Sequence, residues 1–464
     1  MITAVQESSR FRKIIVVGGG LAGMAAAVAL EAAGRSVTLI ESRKMLGGRA
    51  GSFEDPQTGE ILDNCQHVLL GCCTNLLDFY RRIGAEHFIG WQGRIRFVDS
   101  LSRGFSLWAT PGLPAPLHLA LAGIGFSALT LAERTALGEA MLAMLRLGRA
   151  GRDALADVPF GQWLAEHRQP RNLIDQFYDL VLVSALNEDC RRASAAYAIQ
   201  VFQEGMLSHS SAYRMGTPAC PLAELYAKLP CRDVRLGARL SQLRFEGDRV
   251  VGAELSTGEM IDADAVILAV NYQSLEKFVP TELYKQDSRF SRLSELQSVP
   301  ILGAHLWFDR PILTAPHAAL MTTPLQWLFR KPGENGRAVH GVISAARDWV
   351  GRPREECLEI FERQIRRTIP AARGAKLQRG VIVVEKRATF SPLPGVDRLR
   401  PSQSPPREGI AGLFLAGDYT QTGWPATMEG AVRSGYLAAE GLLGKPGGII
   451  VPDLPLQWPA KLLA

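Results

Sequence analysis

The sequence predicts an α/β protein. A Rossmann-like parallel sheet that holds a dinucleotide is interrupted by a discontinuous α+β domain for the substrate. Three observations carry this. A β-branched run, Lys13 to Val17, leads directly into Gly18, Gly20 and Gly23 and then an Ala-rich stretch. A second apolar run, Ser36 to Ile40, closes on Glu41, 18 residues past the last glycine. A third apolar strand running into Gly417-Asp418 appears near the far end, so both ends of the chain contribute to one domain.

Each element of the pocket has a physical reason. The run Lys13 to Val17 reads as a buried parallel strand. Gly18 permits a sharp turn, Gly20 lets the backbone approach a pyrophosphate, and Gly23 lets the next helix pack on the strand. Residues from Ala22 to Ala33 favour a helix, which Gly34 ends. The N–H groups at its start, around Leu21 and Ala22, point toward phosphates. Glu41 ends the second strand, where a carboxylate accepts both ribose hydroxyls. Gly47-Gly48-Arg49 follows and can wrap the pyrophosphate from the other side. In Leu413 to Ala439 a strand, Asp418, a loop and a helix from about Thr427 follow one another. Asp418 suits a ribityl hydroxyl or phosphate, and the helix start near Met428 offers N–H groups and a positive dipole to a flavin edge.

Together these pieces resemble the amine oxidase and phytoene desaturase superfamily of FAD enzymes, in order over nearly the whole chain. The resemblance implies FAD as cofactor. It also implies that the segment Val234 to Val270, read as a hairpin and then a buried strand, returns to the FAD domain near the adenine, at Leu240. The expected division is 12–105, 217–275 and 381–447 for FAD, 106–216 and 276–380 for substrate, and 448–464 as a tail.

Bulk properties agree. At 464 residues the chain exceeds one core, and 47% apolar with 21% charged residues excludes a disordered class. The net charge of +6 fits a mildly basic soluble enzyme or attraction to an anionic membrane. Nucleic-acid binding is disfavoured, because the basic residues do not cluster with aromatics. Seven cysteines without a Cys-x-x-Cys indicate neither a disulfide framework nor zinc, and suit a reducing cytoplasm. The start, MITAVQESSRFRK, lacks the apolar core of a signal peptide. The apolar run Leu117 to Leu131 is shorter than the ~20 residues of a membrane span.

The inserted segments hold the substrate question. Leu137, Met141, Met144 and Leu145 give an apolar helix face, either bundle core or the wall of a hydrophobic tunnel or lipid contact. Amine oxidases of the superfamily usually carry a lysine opposite the flavin, on a strand equivalent to Val299 to Leu313. Residues 286–330 contain no lysine, which disfavours an amine oxidase.

The stretch Leu62 to Gly84, LDNCQHVLLGCCTNLLDFYRRIG, resembles the hydroxysqualene dehydroxylases of bacterial hopanoid synthesis, which carry Asp-Asn-x-Gln-His-x-Leu-x-Gly here. Cys65 stands where that family has glycine. The resemblance implies a C30 isoprenoid alcohol as substrate. Loss of its hydroxyl leaves an allylic cation, which a hydride from reduced FAD quenches to squalene, with an external donor re-reducing the flavin. His67 and Asp63 are the first candidates for the proton donor, or else they brace the loop. Tyr419 and Thr422 are alternatives, Arg387 a polar anchor or phosphate contact, Trp424 and Pro425 wall residues, and Cys72-Cys73 a redox-active pair or, by preference, small buried residues. An oxidative desaturase of a carotenoid or squalene precursor uses the same pocket with electrons reversed. An isoprenoid-binding protein with a structural flavin is the third reading. So insoluble a substrate predicts peripheral attachment to the cytoplasmic face of a membrane, with the tail from Gly447 as interfacial segment or packing arm.

Overall fold

A computed structural model describes residues 11–321 and 324–464. Most of the amino-terminal stretch read for a signal peptide, residues 1–10, lies outside them. The chain opens with strand β1 (Lys13–Val17), helix α1 (Leu21–Ala32) and β2 (Ser36–Glu41). A hairpin, β3 (Arg94–Val98) and β4 (Gly104–Trp108), leads into the helical segment with α2 (Ala120–Ile124) and α3 (Leu131–Asp153), which kinks at Gly148. Next come β5 (Asp233–Leu236), β6 (Leu240–Glu246), β7 (Arg249–Leu255), β8 (Met260–Asp262) and β9 (Ala265–Leu268). The second insertion supplies β10 (Ser298–Phe308), β11 (His317–Leu320), β12 (Trp327–Arg330), β13 (Ala338–Ile343) and β14 (Leu377–Phe390). The chain then adds β15 (Leu413–Leu415), α4 (Met428–Leu443) and α5 (Trp458–Leu463).

Two large sheets organise these elements. The first is parallel, in the order β5-β2-β1-β9-β15. Its central strands are apolar and buried at nearly every position, as a sheet covered on both faces requires. Helix α1 is apolar all round because α4 covers its outer side. The two helices touch so closely that a Cβ on Gly435 would lie 2.2 Å from the Ala22 carbonyl oxygen. β6, β7 and β8 form a separate antiparallel sheet, with positive φ at the turn glycines Gly247 and Gly258. So the segment 234–270 is not a hairpin from its start: β5 first joins the parallel sheet beside β2.

The second sheet runs β14-β10-β13-β12-β11-β3-β4. It moves two expected domain edges. The 105/106 boundary falls inside β4 and the 380/381 boundary inside β14, and both strands belong to this sheet. The physical reason is that β3 pairs in parallel with β11 through Ala319 and Leu320, more than 200 residues away. One face of this sheet carries a register-matched row of rings: His305 opposite His340, His340 opposite Phe329, Phe329 opposite His317. The helical segment packs on this ringed side, where Trp327 Nε1–H donates to Ser184 Oγ at 2.6 Å and Phe97 meets Phe126 at 5.3 Å, while a helix over Arg354–Thr368 covers the opposite face. Met144 and Leu145 are buried in the core of the helical segment, and Leu137 and Met141 lie at the edge of that core. Of the two readings of this helix face, these four side chains fit the bundle core.

Candidate active site

The site is built where the parallel sheet meets the ringed face of the second sheet. The chain leaves β1 through Gly18, whose φ of +110° and 2.4 Å clearance from the Ala269 carbonyl oxygen admit no side chain. A Cβ on Gly23 would lie 1.9 Å from the Gly18 oxygen. Gly20 differs: its Cβ would meet nothing nearer than the Gly48 Cα at 4.0 Å. The gap is a cradle between two glycine loops, tied by Gly47 N–H donating to the Gly19 oxygen at 2.7 Å. No side chain caps α1 at its Gly20 end, and no acid sits in its first turn, Leu21 to Gly23. Open N–H groups, a helix dipole and nearby arginines make this a setting for a pyrophosphate.

Glu41 is buried beside the cradle. One carboxylate oxygen accepts Gly19 N–H at 2.7 Å and the other accepts Arg43 N–H at 2.7 Å. The second of these oxygens also accepts Ser42 Oγ–H at 3.1 Å, so the one bound by Gly19 keeps a lone pair for a ribose hydroxyl. Ala238 N–H donates to the Glu41 carbonyl at 3.0 Å, which places Leu240 two residues beyond that edge, buried and paired with Leu255. Gly48 has φ +59°, and Arg49 follows it across the site. Arg49 meets Asp418 in a two-pronged ion pair, Nη2 to Oδ1 at 2.5 Å and Nη1 to Oδ2 at 3.0 Å, and also donates to the Ala388 carbonyl at 2.6 Å. Gly417 precedes Asp418 with φ +149°, since a Cβ would strike the Tyr419 ring. Thr427 caps α4 by accepting Gly430 N–H at 3.0 Å, and Met428 opens the helix. The cradle, the ribose acceptor, the arginine and the capped helix fit a flavin dinucleotide.

The loop after the cradle carries the other predicted residues. Asn64 is sewn to it, N–H to the Gly51 oxygen at 2.9 Å and Nδ2 to the Gly48 oxygen at 3.1 Å. Asp63 is a strut: one carboxylate oxygen accepts Ser52 Oγ–H at 2.7 Å and Leu222 N–H at 2.9 Å. Of the two roles weighed for Asp63, the bracing one matches this geometry. His67 differs. Its Nδ1 lies 2.8 Å from the Cys65 carbonyl, which can only accept, so Nδ1 carries the hydrogen and Nε2 is the bare nitrogen of the neutral ring. Burial holds its pKa below the ordinary imidazole value, and nearby Arg49 adds to this against the opposing Cys65 carbonyl and Asp63. Beside it the Cys65 thiol, pushed up to about 12 by burial, is not a nucleophile at neutral pH.

Two histidines that sequence reasoning missed stand behind this loop. His305 Nε2 lies 2.9 Å from the Asp63 carbonyl, and its ring faces that of His340 at 4.1 Å. Burial pushes His305 down to about 4 and His340 well below 6.5. The buried His340 Nε2 has no hydrogen-bond partner and points at Gly303, where a Cβ would come within 2.8 Å of it. Only their pairing across β10 and β13 reveals them; in sequence each is a lone histidine in an apolar strand. Around them pack Cys65, Met215, Phe329 and Val342, with Ile301 and Trp327 alongside, an apolar wall.

Thr422 Oγ1 accepts from Arg400 at 2.9 Å and from Trp424 N–H at 3.2 Å, so it braces the loop. The Tyr419 hydroxyl is buried without a partner next to Tyr272, and burial raises its pKa. The Trp424 ring lies under the Arg433 guanidinium at 4.8 Å, and neighbouring Pro425 is buried. Arg387 lines a crevice with Arg49, Tyr272 and Asp418 and donates to Gln273 at 3.1 Å. Cys72 is buried and Cys73 half-buried ahead of Thr74. Lys331, one residue past the lysine-free stretch, lies over Trp307 and pairs with Glu60 at 2.9 Å.

Comparison with known proteins agrees with this architecture. The family model "Flavin containing amine oxidoreductase" matches residues 21–443. Hydroxysqualene dehydroxylase of Rhodopseudomonas palustris is 30% identical over 441 residues, covering 92% of this chain and 98% of its own. 15-cis-Phytoene desaturase of Synechococcus elongatus is 26% identical, covering 93% and 96%. Among solved structures, an oxidoreductase from Methanosarcina mazei superposes with a TM-score of 0.68 at 15% identity over 93% of this chain and all of its own. Putrescine oxidase gives 0.67 at 16%, covering 94% and 99%. With the two-loop cradle and a family match over most of its length, the chain belongs to the flavin-containing amine oxidoreductases and is an FAD-dependent oxidoreductase.

Proposed function

We propose that the protein is a hydroxysqualene dehydroxylase. It removes the hydroxyl of a C30 isoprenoid alcohol reductively to leave squalene for hopanoid synthesis, with an external donor keeping the flavin reduced. The observation that carries the reading is the loop Asp63 to His67. It is sewn to the FAD cradle through Asn64 on one side and laid on the histidine-bearing apolar sheet on the other. Similarity to the Rhodopseudomonas palustris dehydroxylase over nearly the full length of both chains supports it.

FAD would be held by the loops of Gly18, Gly20 and Gly23, by Glu41, by Gly48 and Arg49, and by Gly417, Asp418, Thr427 and Met428. Bound FAD supplies a hydride when reduced and accepts one when oxidised. The chain's own part is positioning, proton handling and exclusion of water. His67 touches the leaving oxygen from Nε2, because Nδ1 is engaged by the Cys65 carbonyl. It must take up a proton before donating one. The wall of Phe329, Val342 and Ile301 keeps water from an allylic cation. The substrate's insolubility places the enzyme at a membrane; among the described residues no helix is long and apolar enough to cross one.

One observation favours the oxidative desaturase instead. A neutral His67 with a bare Nε2 is ready to accept a proton rather than to give one, and 15-cis-phytoene desaturases are among the relatives. A single-turnover assay without oxygen separates the two. Photoreduced enzyme is mixed with hydroxysqualene, and flavin absorbance and product mass are followed. Flavin reoxidation matched by squalene supports the dehydroxylase. No reoxidation, with bleaching of the oxidised enzyme by phytoene, supports the desaturase.

A further inference from the structure

We propose that the protein docks on anionic lipid bilayers through one face made by two segments more than 300 residues apart. The first lies around α2. Leu117, Leu121 and Ile124 follow i, i+4, i+7 spacing and all are exposed, Ile124 at 67%. On the other side of the same segment Phe126 is buried and meets Phe97 at 5.3 Å. The segment therefore has two apolar sides, of which only one is used inside the protein. The second segment is the terminal helix α5, where Trp458 is 69% and Leu462 76% exposed, one turn apart.

Hydrogen bonds hold the two segments together. Gln457 Oε1, just before α5, accepts Ala115 N–H at 2.5 Å and Ser210 N–H at 3.2 Å, while its Nε2 donates to Ser210 Oγ at 3.1 Å. The tail is thus a packed arm that also presents an outward apolar edge. Met260 on β8 and Val350 are also exposed, on other segments, as scattered apolar residues are on most soluble surfaces. A contiguous patch on two tethered segments is the kind that marks an interaction surface.

Charge chooses a bilayer over a protein partner. Residues 104–132 contain no Asp, Glu, Lys or Arg, and Lys461 is the one ionisable side chain of 454–464. Between residues 93 and 138 the two acids, Asp99 and Glu133, are buried and hydrogen-bonded. Asp99 takes up Arg103 in an ion pair at 2.7 Å, which leaves Arg94, Arg96 and Arg134 as the cationic side chains of that span. An uncharged apolar centre with a cationic border and an interfacial tryptophan matches an anionic lipid surface. This face stands on its own geometry and does not depend on the direction of electron flow in the reaction.

The test uses the FAD-loaded full chain in flotation with vesicles of phosphatidylglycerol and phosphatidylcholine, against phosphatidylcholine alone. Variants are Leu121→Glu with Ile124→Glu, separately Leu462→Glu, and Met260→Glu as control. Wild type and M260E should float with the anionic vesicles, and both face variants should bind about ten-fold or more weakly. Retained flavin absorbance reports that the variants are folded. The proposal is overturned if wild type does not float, if it floats equally with phosphatidylcholine alone, or if the face variants float unchanged. It is also overturned if light scattering shows a lipid-free dimer that the face variants convert to monomers.

Discussion

Arg49 and Asp418, 369 residues apart in sequence, join the glycine-loop cradle to the loop after β15 through two N–H···O bonds of 3.0 and 2.5 Å. The Asp418 side chain is 7% exposed and that of Arg49 38%. The pair therefore resembles a buried bridge on the acid's side only.

Replacing Arg49 by Met leaves the Asp418 carboxylate without its partner and removes a cation from the cradle. A fully buried pair loses ~3–5 kcal/mol when broken, and the exposure of Arg49 reduces this to about 1–3 kcal/mol. Flavin fluorescence titration of the deflavinated variant should show about ten- to hundred-fold weaker FAD binding. Unchanged affinity would mean that Arg49 takes no part in holding the cofactor.

His67 and Asp63 should separate cleanly. His67→Gln keeps the loop and removes the titrating nitrogen, so turnover should fall about 10²- to 10⁴-fold while FAD content stays intact. Asp63→Asn disturbs the strut to Ser52 and Leu222, so it should lower the thermal midpoint more than the turnover. Equal losses of turnover in both variants would contradict this division.

Acid should destabilise the fold through the buried histidines. His305 and His317 both stand at about 4 in the folded protein, from burial, against about 6.5 unfolded. A depressed imidazole favours the folded state above the unfolded pKa. That advantage disappears as pH falls from 6.5 toward 4, at up to about 1–3 kcal/mol per ring. Urea midpoints should therefore drop across this window, and His305→Gln should make the slope shallower. A flat wild-type profile would show that these rings do not resist protonation.

Gly435→Ala tests the contact between α1 and α4. The new methyl must displace the Ala22 carbonyl, at a cost of about 1–3 kcal/mol. Thermal unfolding should shift downward in both the FAD-free and FAD-loaded protein; a shift confined to the loaded form would locate the effect in the cofactor site instead.

The parallel sheet was legible because its signals are local. Lys13 to Val17 is β-branched and its glycines follow directly, Glu41 sits at a fixed spacing, and Thr427 is a capping residue just before an apolar helix. The histidine pair was not legible. Alternation along a strand shows which face a residue takes, but not which strand lies beside it. Only the register of β10 with β13 puts His305 against His340. The hairpin β3–β4 was placed in the wrong domain for the same reason: its parallel neighbour β11 lies far along the chain. Asp63 illustrates a further limit, since an acid four residues from a histidine looks like half of a catalytic couple until Ser52 and Leu222 take its oxygen.

The parallel sheet takes β1 from residue 13 and β15 from residue 413, and the helix behind the pocket runs to residue 443. During synthesis the glycine loop therefore emerges hundreds of residues before the strand and helix that close it. From Glu41 to Asp418 a ribosome needs roughly 20–75 s at about 5–20 residues per second. The nascent amino-terminal half must wait through that interval with an open apolar sheet edge. Cofactor capture is then an event of the finished polypeptide, and flavin content reports whether both ends of the chain have met.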